Sequence, residues 1–127
     1  MKVLIVDDDH DLCSLLSYKL KKEAYSVNHV DRIAEAEKIL KEDKPEVLIL
    51  DNQLPDGLGI SYIPILKKYQ PDVLIILVTA DPSFQNRHAA LNRGADYFLN
   101  KPFQMDTVLD IIRSSTQNPG MNAAMAV

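Results

Sequence analysis

The chain of 127 residues carries 14 basic and 18 acidic side chains, a net charge of −4, 46% apolar residues and one cysteine. That length suits a single hydrophobic core, and the composition excludes a disordered or fibrous chain. An acidic balance without a basic block argues against direct nucleic-acid binding by this segment, and Cys13 alone cannot staple the fold.

The first apolar run, VLIV, is only four residues long. It is far too short for a signal peptide or a membrane span, so the expectation is a cytoplasmic protein without membrane association. The run predicts a buried strand that stops at Asp7 and Asp8. Leu12, Leu15, Leu16 and Leu20 then recur at helical spacing and predict a helix over 11–23, with Lys19, Lys21 and Lys22 toward solvent. Cys13, on the same turns, reads as a buried small hydrophobe. A second strand is expected over 26–30, and Ile33, Ala36, Ile39 and Leu40 stripe a helix over 32–42. A third strand over 47–50 stops at Asp51, and a loop rich in turn residues follows over 54–59. The next helix spans 60–69, with Pro64 tolerated near its first turn. The fourth strand, 73–78, stops at Thr79, and a helix over 82–93 ends at Gly94 as a left-handed cap would. The fifth strand, 97–100, stops at Lys101, and Met105, Val108, Leu109 and Ile112 stripe a last helix that ends near Ser115.

Strict alternation of strand and helix implies a parallel sheet with right-handed crossovers and helices on both faces. The expected fold is therefore α/β, a flavodoxin-like (βα)5 doubly wound sheet of strand order 2-1-3-4-5. In such sheets the ligand crevice lies beyond the carboxyl ends of the strands, here between strands one and three. Those two strands end in aspartates, so topology and chemistry point to one place.

Crowded carboxylates repel one another unless a cation shares the site. Asp7 and Asp8 suit Mg²⁺, a hard cation that takes a few carboxylates together with water and phosphate oxygens. Their alternative role is to cap the first helix, although Asp9 or Asp11 is available for that. Asp51 is the candidate nucleophile, since a carboxylate can accept a phosphoryl group as an acyl phosphate. Lys101 could neutralise a phosphate oxygen and Thr79 could donate a hydrogen bond to another. Each residue alone has an ordinary structural explanation, but their shared position at the strand ends does not.

The motifs VLIVDDD, LILDNQLPDGLG, VTA and GADYFLNKPF stand in the order and at the spacing of a known family over residues 1–116. The chain resembles the receiver domain of two-component response regulators. The resemblance implies that Asp7 and Asp8 bind Mg²⁺, with Mn²⁺ as a substitute, and that a histidine kinase or phosphotransfer protein phosphorylates Asp51. It implies that the backbone carbonyl of Gln53 completes the metal shell and that Lys101 contacts the phosphate. Thr79 takes the place of the switch hydroxyl, Phe98 that of the aromatic that turns inward with it, and Pro102 that of a cis proline. An output domain or partner protein would read the surface of helix four, strand five and helix five, including Arg87, His88, Leu91 and Asn92, and the resemblance also allows a homodimer on phosphorylation.

Tyr97 departs from the family, which often has an acidic residue at that position, and Pro64 is not a family requirement. The resemblance implies a phosphoryl-accepting signalling domain, self-catalysed in transfer and slow in dephosphorylation, rather than an enzyme with turnover. The main alternative is a Mg²⁺-dependent phosphohydrolase working through an aspartyl phosphate, but such enzymes usually carry a cap insertion, and no segment here is long enough. An interaction module that has lost phosphorylation is a third reading, and the intact reactive set speaks against it. Residues 117–127, uncharged and without periodicity, read as a tail or the start of a linker to an output domain, DNA-binding or ATPase in kind.

Overall fold

The computed structural model describes residues 1–81 and 83–117. Of the expected tail, 117–127, Gln117 is the last residue of the final helix and the remainder lies outside the described residues. Five parallel strands, β1 (Lys2–Val6), β2 (Ser26–Val30), β3 (Val47–Asp51), β6 (Leu74–Thr79) and β7 (Tyr97–Asn100), form one sheet in the order β2-β1-β3-β6-β7. Counted within the main sheet, this is the expected 2-1-3-4-5 order. A short antiparallel hairpin, β4 (Gln53–Leu54) and β5 (Gly57–Leu58), stands apart from it. It occupies the segment expected to be loop, because Pro55 and Asp56 supply a two-residue turn between Leu54 and Gly57.

The period-2 alternation of each strand divides the core into two layers. Leu4, Val6, Leu48, Leu50, Ile75, Leu77 and Phe98 face α2 (Ile33–Glu42), α3 (Gly59–Tyr69) and α4 (Phe84–Arg93). The intervening residues Val3, Ile5, Val47, Ile49, Ile76, Val78, Tyr97 and Leu99 pack with α1 (His10–Lys22) and α5 (Met105–Gln117). Tyr97, the departure from the family pattern, is thus a buried core side chain at 5% exposure.

The helices refine the sequence reading. In α1 the buried positions are Cys13, Leu16, Ser17 and Leu20, while Leu15 is 60% exposed. The i, i+3, i+4, i+7 face passes through the small Ser17, so a count of leucines alone misplaces the stripe. Asp9 caps α1 by accepting from Leu12 N at 3.1 Å, which leaves Asp7 and Asp8 free of that duty. Pro64 lies inside α3 rather than in its first turn. It removes one intrahelical bond, and its exposed position lets solvent reach that side of the helix. At the end of α4, Gly94 adopts φ 118 and its N–H reaches the carbonyls of Ala90 and Leu91, as expected for a left-handed cap.

Helix α2 has no cap of its own. Arg32 at its N-cap makes no side-chain cap bond, and the acceptor is instead Asp56 from the hairpin turn, 2.9 Å from Ile33 N and 3.0 Å from Ala34 N. No helix among the described residues is long and apolar enough to cross a membrane.

Candidate acidic phosphoryl-acceptor site

The carboxyl ends of β1, β3, β6 and β7 deliver Asp7, Asp51, Thr79 and Lys101 to one edge of the sheet. Parallel pairing sets Asp51 opposite Val78 and Thr79 opposite Asn100, so each chemical residue emerges where its strand's apolar run is used up. Lys101 Nζ lies 2.8 Å from Asp7 Oδ2 and 3.2 Å from Asp51 Oδ1. One ammonium group therefore serves two carboxylates. Asp7 Oδ1 accepts from Asp9 N at 2.9 Å, whereas its buried Oδ2 has the Lys101 ammonium as its partner.

Burial, and next the neighbouring Asp7 carboxylate, push Asp51 up to about 6, against the pull of Lys101. For Lys101 burial works against the charge, but the Asp7 and Asp51 carboxylates win and hold it above its ordinary value. The site is thus short of positive charge. Oxygens of Asp7, Asp8 and Asp51 come within 4.8 Å of one another, and Asp8 is exposed at the mouth. All-oxygen ligands, two buried carboxylates that share a single ammonium group and a raised Asp51 pKa together fit a hard divalent cation, which these three residues could hold. An open cleft of about 490 Å³ lies beside them, lined also by Gln53, Leu54, Pro55, Ala80 and Lys101. There is room there for a phosphoryl group.

Thr79 is 1% exposed, and its hydroxyl oxygen accepts from Asp81 N at 3.0 Å, which ties it to the loop before α4. Its backbone carbonyl accepts from Lys101 N at 2.8 Å, so the hydroxyl and the lysine share a backbone junction. The Lys101–Pro102 peptide is cis. Phe98 is 1% exposed and belongs to the core cluster that holds Leu77, Ala90 and Ala95. The ring lies in the inward position, with the Arg87 guanidinium 5.9 Å from its centroid. On the α4 surface, His88 and Asn92 are exposed and bonded to each other, while Leu91 is half-buried against the core.

Two positioning residues escaped the sequence reading. Asn52 is 4% exposed; its N–H donates to Val78 O, its carbonyl accepts from Gly59 N at 2.7 Å, and its Oδ1 accepts from Ile60 N at 3.1 Å. It closes the base of the hairpin that starts beside Asp51. Gly59 completes this closure, because a Cβ there would stand 2.3 Å from the Asp51 carbonyl oxygen. The signal for Gly59 was its place at the end of the turn-rich LPDGLG run; nothing local distinguishes Asn52 from a solvent-facing turn residue. Cys13 donates from Sγ to Asp7 O at 3.4 Å, and burial, aided by Asp7, pushes the thiol up to about 11, which makes it a packing residue.

Residues 3–113 match the response regulator receiver domain family model. The chain is 35% identical over 112 residues to the transcriptional regulatory protein KdpE of Staphylococcus aureus, covering 88% of this chain and 48% of that protein. It is 34% identical over 114 residues to the response regulator MprA of Mycobacterium leprae, covering 90% and 50%. The chain thus spans about half the length of the curated relatives it matches. Among solved structures, the beryllofluoride-activated NtrC4 receiver domain dimer is similar at 35% identity and a TM-score of 0.86, covering 91% of this chain and 96% of that one. A response regulator from Burkholderia pseudomallei, solved with a phosphorylated aspartic acid, calcium ion and citrate, is similar at 27% identity and a TM-score of 0.83, covering 94% and 70%. With its fold, its ordered acidic, hydroxyl and lysine positions and a family match over most of its length, the chain belongs to the response regulator receiver domain family.

Proposed function

We propose that this chain is the phosphoryl-accepting unit of a two-component response regulator, and that Asp51 receives the group from a histidine kinase or a phosphotransfer protein. The observation that carries the reading is the Lys101 ammonium poised between Asp7 and Asp51 at 2.8 and 3.2 Å beside an open acidic cleft. Mg²⁺, or Mn²⁺ in its place, would be held by Asp7, Asp8, Asp51 and the backbone carbonyl of Gln53, where it supplies charge neutralisation for the transferring phosphoryl group. An Asp51 oxygen forms the new P–O bond as the donor's P–N bond breaks, the electron pair leaving with the imidazole nitrogen, which then takes up a proton. Lys101 exchanges its grip on Asp51 for a phosphoryl oxygen, and the Thr79 hydroxyl donates to another.

Because the same hydroxyl oxygen accepts from Asp81 N, any movement of Thr79 toward the phosphoryl group is passed to the loop before α4. Phosphorylation biases a pre-existing equilibrium, with Thr79 drawn toward the phosphoryl group and the Phe98 ring held inward. The altered α4–β7–α5 surface meets an output domain or partner protein. The similarity to KdpE, a transcriptional regulatory protein of which this chain covers 48%, supports a transcriptional output in a separate region. The similarity to a beryllofluoride-activated receiver dimer supports phosphorylation-dependent homodimerisation. The chain acts in the cytoplasm as a signalling domain, self-catalysed in transfer but without multiple turnover, and makes no direct contact with nucleic acid.

The experiment is to offer the protein a phosphorylated histidine kinase and, separately, a chromogenic phosphate ester, each with Mg²⁺. One-to-one transfer from the kinase without ester turnover is the expected result. Steady ester hydrolysis would instead establish the phosphohydrolase alternative.

A further inference from the structure

The hydrogen bonds that Asp56 gives α2 come from the segment that follows the phosphoacceptor. The first N–H groups of a helix have no intrahelical acceptor, and Arg32 supplies none to α2. Asp56 meets two of them, Ile33 N at 2.9 Å and Ala34 N at 3.0 Å, with one oxygen each. Both bonds are charge-assisted, and a carboxylate at a helix N-terminus also interacts favourably with the helix dipole. The same hairpin is closed at its base by Asn52, next to Asp51, and its first strand begins with Gln53, which lines the acidic cleft. One carboxylate therefore anchors the far end of a segment whose near end lies at the reactive site.

We propose that Asp56 is a positioning residue for phosphoryl acceptance: its grip on α2 holds the Gln53–Leu58 hairpin against the cleft, so that cation binding there and order at the start of α2 are coupled. The proposal rests on the reading that Asp7, Asp8, Asp51 and the Gln53 carbonyl hold the cation. Coupling of this kind is reciprocal: a tether that favours the cation is itself reinforced by the cation.

The test follows amide resonances during a Mg²⁺ titration of the full chain, with hydrogen exchange measured at Ile33 and Ala34. In the wild type, Mg²⁺ shifts the amides of Asp8, Asp51 and Gln53 and slows exchange at the two α2 amides. Asp56→Ala weakens Mg²⁺ binding on the order of tenfold, the lower end of the range for residues that support metal ligands, and abolishes the added protection. Asp56→Asn keeps the shape and one acceptor oxygen and gives the same result at about threefold, which serves should the alanine variant not fold. Adding Arg32→Ser to Asp56→Ala gives α2 a cap of its own. This double variant regains α2 protection but not Mg²⁺ affinity, a separation that simple helix capping would not produce. Affinity within twofold of wild type in Asp56→Ala, or full recovery of affinity in the double variant, would overturn the role of Asp56 while leaving the cation site standing. A wild type with no Mg²⁺ response at Asp8, Asp51 and Gln53 would remove the cation reading and the proposal with it.

Discussion

Replacing Asp51 with asparagine should stabilise the cation-free protein at neutral pH. Burial and the adjacent Asp7 carboxylate raise the Asp51 pKa from 3.8 to about 6. That rise of roughly two units corresponds to about 3 kcal/mol of cost for keeping the side chain ionised in the folded state. The folded carboxyl binds more protons than the unfolded one between about pH 4 and 6, so its contribution is most favourable below that window and is lost as pH rises through it. Asparagine carries no charge and avoids the cost, while Lys101 keeps Asp7 at 2.8 Å as its partner. After allowance for imperfect amide contacts, the gain at pH 7 is about 2 kcal/mol, or roughly 6–8 °C in Tm for a domain of this size. Urea and thermal unfolding followed by circular dichroism in EDTA, from pH 4 to 8, measure it. The two proteins should converge near pH 4 and diverge as pH rises. Mg²⁺ at ten times its Kd should return about 1.4 kcal/mol to the wild type and less to the variant. An Asp51→Asn protein less stable than wild type at pH 7 in EDTA, or a difference that does not vary with pH, would refute the charge-shortage argument.

Three further substitutions probe the frame around that charge. Gly59→Ala places a methyl group 2.3 Å from the Asp51 carbonyl; a loss of about 2–3 kcal/mol and slower phosphoryl uptake are expected in urea unfolding and labelling assays, and wild-type behaviour would show that the backbone yields without consequence. Asn52→Ala leaves the buried Ile60 N–H without its acceptor and should cost about 1–3 kcal/mol, measured as a shift of the urea midpoint at constant slope. Thr79→Ala should still take up a phosphoryl group, yet beryllofluoride should no longer shift the amides of β7 and α4; a full wild-type response would disprove the link from Thr79 through the Asp81 loop.

The order of the sheet and the residues at its edge were legible because both depend on local patterns. Each apolar run ends at its polar residue, and parallel pairing forces those ends to one side. What the pattern could not convey was supplied by contacts across long separations. Asp56 caps a helix that starts 23 residues before it, and no window of sequence near either residue signals the pairing. The inward ring of Phe98 depends on the room left among the residues of α3 and α4, which a motif does not encode. Leu15 was misassigned to the core because a serine takes the buried position that a longer apolar residue would have announced. The hairpin within residues 53–58 was hidden by its brevity, since two residues per strand give no alternation to read.

Intact mass spectrometry after incubation with Mg²⁺ and a small acyl-phosphate donor tests the central claim most directly. The account predicts the gain of a single phosphoryl group, mapped by peptide fragmentation to Asp51, absent in Asp51→Asn and abolished by a chelator. Equal labelling of the Asp51→Asn variant, or labelling indifferent to the chelator, would contradict it.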